Sequence, residues 1–155
     1  MPLSASESQQ IYNRINQTRT QAPVQLAESI FLNNFPLCLG MFIPLFGAVF
    51  GLFVMFSTGI ALGAELRVES ASNVGSTPTI SPSTAILALF VIGLVFLIEY
   101  VSYAIGMSES LWLFRRLMQR RWQLELKDAA ILIGICAVLL TIGAIIETLG
   151  IGAGF

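Results

Sequence analysis

Three apolar runs, each long enough to cross a lipid bilayer, constrain this chain more than any other feature. A hydrocarbon core about 30 Å thick needs roughly 20 helical residues at about 1.5 Å each. Residues from about Ile30 to Ala64, Thr84 to Met107 and Ala129 to Leu149 reach that length with few charges inside them. The composition agrees: 55% of the 155 residues are hydrophobic and 11% are charged. A soluble domain carries about 25% charged residues, so too little polar surface exists here to cover a water-soluble globule. The expected fold is therefore all-α: a polytopic transmembrane helix bundle of about three spans, plus a basic interfacial amphipathic helix.

The chain divides accordingly. Residues 1–29 read as a polar cytoplasmic N-terminal tail with no conventional signal peptide, since the apolar run after them is too long and lacks a cleavage site. Residues 30–150 read as a single transmembrane helical domain, with spans at about 30–64, 84–107 and 129–149 and the interfacial helix at about 108–127. Residues 151–155 form a C-terminal tail. The first segment is too long for one upright span and carries Pro36 and Pro44, residues that kink or break helices. Two arrangements fit it. One is an amphipathic lead-in from about Ile30 followed by a tilted span to Ala64; the other is a broken or re-entrant pair. The first is favoured, because re-entrant backbone must be buried in protein to satisfy its polar groups.

Lys and Arg placement sets the expected orientation. Arg14 and Arg19 lie in the tail, and Arg115, Arg116, Arg120, Arg121 and Lys127 lie in the 108–128 connector. The 65–83 loop has only Arg67, and the last residues have none. Three spans place tail and connector together, seven cations against one, which predicts a cytoplasmic N-terminus and an extracytoplasmic C-terminus. A four-span hairpin would separate the two basic regions, which argues against it.

Small residues recur at helical spacing. Gly40, Gly47 and Gly51 share a narrow stripe, Gly59 and Gly63 form a second pair, and Gly134 belongs to a third set with Ala130, Ala137, Thr141 and Ala144. Such stripes let membrane helices approach closely. Glu99 interrupts the second span, where an ionisable side chain is costly and turns toward the bundle interior. Ser102, Tyr103, Gly106 and Ser110 follow it on one helical face. Two readings stay open for this strip: a structural or partner contact, and an ion or proton site. Glu147, near the outer end of the third span, reads as interfacial or as a partner of Arg67, Asn33 or Asn34.

Leu111, Phe114, Met118 and Trp122 give the connector an apolar side, with Arg116 and Arg120 away from it. The two tryptophans, Trp112 and Trp122, flank Arg115, Arg116, Arg120 and Arg121, a pattern suited to lipid headgroups. The chain has no histidine, phosphate loop, GxSxG, CxxC or acidic metal constellation. Cys38 and Cys136 lie in apolar runs and read as small hydrophobes. No catalytic, cofactor or metal site is expected, and nucleic acid is not an expected partner; the lipid bilayer and other integral-membrane proteins are.

The membrane portion resembles the stage II sporulation protein M family over roughly residues 30–150. IFLNNFPLCLGMFIPLFGAVFGLFVMFSTGIALGAEL is similar to that family's opening, with Phe31 and Asn34, Gly47 and Gly51, then Gly59 and Gly63 in its outline. Glu99 with Ala104 and Gly106 resembles the end of its second motif, and LLTIGAIIETLGI with Glu147 its last helix. Val95 stands where the family places a histidine, and Ser57-Thr58-Gly59 where an Asn-Gly pair is expected. The family is associated with a membrane complex that remodels peptidoglycan in sporulation, with many relatives in organisms that do not sporulate. The resemblance implies an integral-membrane assembly component; the small-residue faces, Glu99 and the missing catalytic motifs point to a non-enzymatic scaffold or accessory subunit of a larger membrane complex. The alternative reading is a small oligomeric transporter or channel with Glu99 as its ion or proton site.

Overall fold

A computed structural model describes residues 22–72, 82–119 and 122–153, together with Ser6, Gln9, Gln10 and Asn13. These residues are helical apart from short turns. The four principal helices are α1 (Pro23–Gly40), α2 (Phe46–Ser72), α3 (Pro82–Met118) and α4 (Trp122–Gly152). Three stretches are long and apolar enough to cross a membrane: Phe46–Ala64 in α2, Ile86–Met118 in α3 and Leu126–Gly152 in α4. Their outward faces are apolar, as Phe53, Phe56, Leu89, Phe90 and Val138 illustrate, each at least 60% exposed. Lipid tails, not water, suit such a surface.

The first apolar segment is not a single tilted span. It divides at Met41–Leu45, where α1 ends and α2 begins. Pro44 supplies the reason: it has no N–H to donate to the Gly40 carbonyl, and it disfavours helical geometry at Ile43. Leu45 then adopts φ 64, the left-handed region that turns the chain back. Gly47 permits the tight return, because a Cβ there would collide with the Met41 carbonyl oxygen and press on Ser110.

Contacts along α3 fix the direction of each helix. Asn34 meets Glu99, Cys38 meets Ser102, Met41 and Phe42 meet Gly106, and Ile43 meets Ser110. Positions on α1 and α3 rise together, so the two helices run parallel. Gly47 faces Ser110 while Gly51 faces Met107, so α2 runs the opposite way. Gly143 touches Ile98 and Gly150 touches Val91, which makes α4 antiparallel to α3 as well. Thus α1 and α2 form a helical hairpin. The Pro23 end of α1 lies where α3 starts and α4 finishes, opposite the α3–α4 connection. The count of seven cations against one assumed a single crossing by residues 30–64, and the hairpin removes that premise.

The expected interfacial helix at 108–127 is not a separate element among the described residues. No proline or glycine follows Gly106 in this stretch, so α3 continues unbroken to Met118 and α4 opens at Trp122. At 37 residues and about 1.5 Å each, α3 is about 55 Å long and must project beyond a hydrocarbon core of about 30 Å. Arg115 and Arg116 occupy its last turn, where cations favour the negative end of the helix dipole.

The core gathers Cys38, Met41, Phe42, Val54, Tyr103, Cys136 and Leu140, with residues from all four helices. Substituting Gly47 tests the hairpin. Gly47→Val sets a side chain against backbone that cannot swing aside, and should cost about 1–3 kcal/mol, as overpacking does. Gly59→Val meets open space and should stay within about 0.5 kcal/mol. Thermal melting in detergent measures both; equal losses would refute the close approach.

Candidate functional site

Glu99 lies midway along α3, half-buried, between α1 and α4. Its Oε1 accepts a hydrogen bond from Asn34 Nδ2 of α1 at 2.6 Å. Asn34 is held in turn by its neighbour, Asn33 Nδ2 donating to Asn34 Oδ1 at 3.4 Å. From α4, the Glu147 carboxyl lies close enough to Glu99 for the two to interact electrostatically. Tyr103, one turn along α3, is 3% exposed and lies within electrostatic range of Glu99. Two carboxyls, a carboxamide and a phenol from three helices therefore share one region at membrane depth.

The strip beyond Glu99 faces α1 rather than lipid. Ser102 and Ser110 are fully buried. The Ser102 hydroxyl donates back to the Ile98 carbonyl at 2.9 Å, so it serves its own helix. The Ser110 hydroxyl donates to the Ile43 carbonyl at 2.8 Å, and the Leu45 N–H donates to the Ser110 carbonyl at 3.4 Å. Ser110 thus binds both sides of the hairpin tip. Gly106 lets Met41 and Phe42 lie against α3; a Cβ added at this glycine would stand only 3.0 Å from Met41 Cβ.

The other glycines separate into two groups. Gly40 faces Phe50, Gly51 faces Met107, and Gly47 faces Met41 and Ser110. Gly59, Gly63 and Gly134 have open space where a side chain would stand, so they make no close helix contact among the described residues. At the far end of α3, Trp112 is about half exposed, and the guanidiniums of Arg115 and Arg116 lie 5.5 and 5.4 Å from its ring centroid. That geometry suits cation–π attraction. Arg120 and Arg121 lie outside the described residues, as does the Trp122 side chain.

Sequence reasoning singled out Glu99 but offered Asn34 only as a partner for Glu147. The Asn33-Asn34 pair in an apolar segment was the available signal, because paired carboxamides at that depth need partners. The anchoring role of Ser110 left no sequence signal; it depends on where the tip of the hairpin lands.

This arrangement can fasten α1 to α3 through the hydrogen bond from Asn34 to Glu99, with the Glu147 carboxyl of α4 within electrostatic range of it. A double-mutant cycle tests that fastening. Asn34→Leu and Glu99→Leu each leave one polar group unmatched, and their coupling energy should be about 1–2 kcal/mol. Glu99→Gln keeps an acceptor for Asn34 and should retain most of the stability. Strictly additive losses in detergent melting would show that the bond contributes nothing.

A family model described as stage II sporulation protein M matches residues 2–150. The match reaches well into the N-terminal tail, beyond the membrane portion. No curated protein and no solved structure matches the chain. The motifs around Gly47, Glu99 and Glu147 thus fall within one continuous match covering nearly the whole sequence, and the chain belongs to the stage II sporulation protein M family.

Proposed function

We propose that this membrane protein is a non-enzymatic scaffold or accessory subunit of a larger membrane complex. The observation that carries this reading is the division of its glycines. Gly47, Gly51 and Gly106 are consumed by packing inside the chain, whereas Gly59 and Gly63 of α2 and Gly134 of α4 open outward. Outward small residues suit close approach by helices of another membrane protein. Glu99 supports the same reading, since its carboxyl is engaged by Asn34 in a helix-to-helix bond. Partner proteins would meet α2 and α4, and anionic lipid headgroups would meet Trp112, Arg115 and Arg116.

Extraction of native membranes in mild detergent, followed by mass measurement, tests the assignment. The wild-type chain should run in an assembly larger than itself, and Gly59→Leu with Gly63→Leu should release it without lowering its thermal midpoint. A strictly monomeric chain in both mild detergent and lipid nanodiscs would reject the scaffold role.

A second reading draws on the Glu99–Glu147 proximity: proton or ion transport by an oligomer, with Glu99 as the site. Reconstituted flux abolished by Glu99→Gln would support it, and flux unchanged by that substitution would remove Glu99 from it.

The hairpin also bears on orientation. Cations near the α3–α4 connection number five (Arg115, Arg116, Arg120, Arg121 and Lys127), against Arg14, Arg19 and Arg67 elsewhere. The positive-inside tendency then puts the connection in the cytoplasm, with Ala22 and the end of α4 both outside. This keeps the expected C-terminal side and moves the start of α1. In a background of Cys38→Ser and Cys136→Ser, impermeant maleimide should label Ala22→Cys and Ala153→Cys on intact cells, and Gln119→Cys only after lysis. Labelling of Ala22→Cys only after lysis would overturn this placement.

A further inference from the structure

Cys38 of α1 and Cys136 of α4 are both fully buried and free. Their thiols converge on one atom: Cys38 Sγ donates to the Ser102 carbonyl oxygen at 3.7 Å, and Cys136 Sγ donates to the same oxygen at 3.5 Å. Two sulfurs from different helices are therefore neighbours at a point where α1, α3 and α4 meet. Neither the scaffold reading nor the Glu99 cluster uses them.

We propose that Cys38 and Cys136 are a redox modification site, closing to an interhelical disulfide that clamps α1 onto α4. The chemistry suits the surroundings. Two neutral thiols become a neutral disulfide, so no charge is left in an apolar interior, as it would be with a metal bis-thiolate. The Ser102 carbonyl loses two weak S–H donors but keeps the Gly106 N–H of its own helix.

The position of the pair selects the oxidant. Core packing at membrane depth excludes water-borne disulfides, so the electron acceptor is a lipid-soluble quinone. A fully ring-substituted benzoquinone is the suitable class, because it has no free ring carbon for a thiol to add to. Both S–H bonds break and one Sγ–Sγ bond forms. The two electrons and two protons pass to the quinone oxygens, giving the hydroquinone.

Burial also sets the rate. Thiols in apolar surroundings are poor nucleophiles, and contact with a quinone requires α1 to draw away from α4. Pro36 removes one hydrogen bond from α1, and α1 is not among the stretches apolar enough to span the membrane by themselves. It is the limb best suited to move. Oxidation is slow, follows the opening of α1, and then prevents it.

The experiment uses the reduced full-length chain in liposomes containing a hydrophobic, fully substituted benzoquinone. It is followed by denaturation, maleimide alkylation and intact-mass measurement. The expected product has lost the mass of two hydrogen atoms and takes up no maleimide. It remains a single chain on a non-reducing gel and regains both thiols with a dithiol reductant. Cys38→Ser and Cys136→Ser should each keep one alkylatable thiol. The oxidised chain should also melt at a higher temperature, because the bond closes a long loop from residue 38 to 136. Full alkylation of both thiols after quinone treatment, a cross-link between chains, or a lowered melting temperature would each overturn the proposal. None of these readouts depends on the identity of the complex the protein serves.

Discussion

Backbone that leaves the helix inside a bilayer has no water to satisfy its N–H and C=O groups, and each unsatisfied group costs several kcal/mol. In this protein the apolar segment leaves the helix at five residues, Met41–Leu45, whose polar groups must find partners of their own. Pro44 forces the break, and Leu45 turns the chain through φ 64. Ser110 makes the turn tolerable by donating to the Ile43 carbonyl and accepting from the Leu45 N–H. The rest of the arrangement follows from that anchorage. With the tip fixed against α3, α1 must lie parallel to α3 and α2 must return beside it.

The same accounting explains how polar side chains are placed along the bundle. Ser57, Thr58, Ser102, Thr141 and Thr148 each donate to a carbonyl four residues back in their own helix. Their hydroxyls are satisfied locally and ask nothing of a neighbour. Asn34 and Glu99 have no such local solution, so they meet across α1 and α3. Hydroxyls that bond within their own helix leave it free, whereas Asn34 and Glu99, and the Ser110 hydroxyl at the turn that follows α1, reach across and become attachments. These attachments hold α1, which packs on α4 and α3 although it is the least apolar of the four helices.

Much of the fold was legible in the sequence. The three apolar runs appear as three membrane-length helices, and the family resemblance traced through Gly47, Glu99 and Glu147 agrees with a match covering nearly the whole chain. The boundaries were less legible. A proline at 44 announces a weak point, but both a kink and a reversal relieve its missing hydrogen bond. What separates them is Gly47 packing on the Met41 carbonyl and the two bonds to Ser110. The connector is ambiguous in sequence for a related reason. Leu111, Phe114 and Met118 make an amphipathic face whether the helix lies along the membrane or continues α3 out of it. Periodicity reports a face and not the direction of the axis.

The sequence by itself determined the solvent and the secondary structure. Apolar length and scarce charge require helices in lipid, because only a helix satisfies its backbone within one segment there. The sequence also marked Glu99 as a residue that needs a partner. Only the tertiary structure decided who that partner is, which glycines are used inside and which face outward, and at which end of the bundle α1 begins. Those outcomes depend on the register between segments far apart in sequence. A shift of one helical turn in the hairpin would separate Asn34 from Glu99 and Ser110 from Ile43 without altering the hydrophobic pattern of either helix.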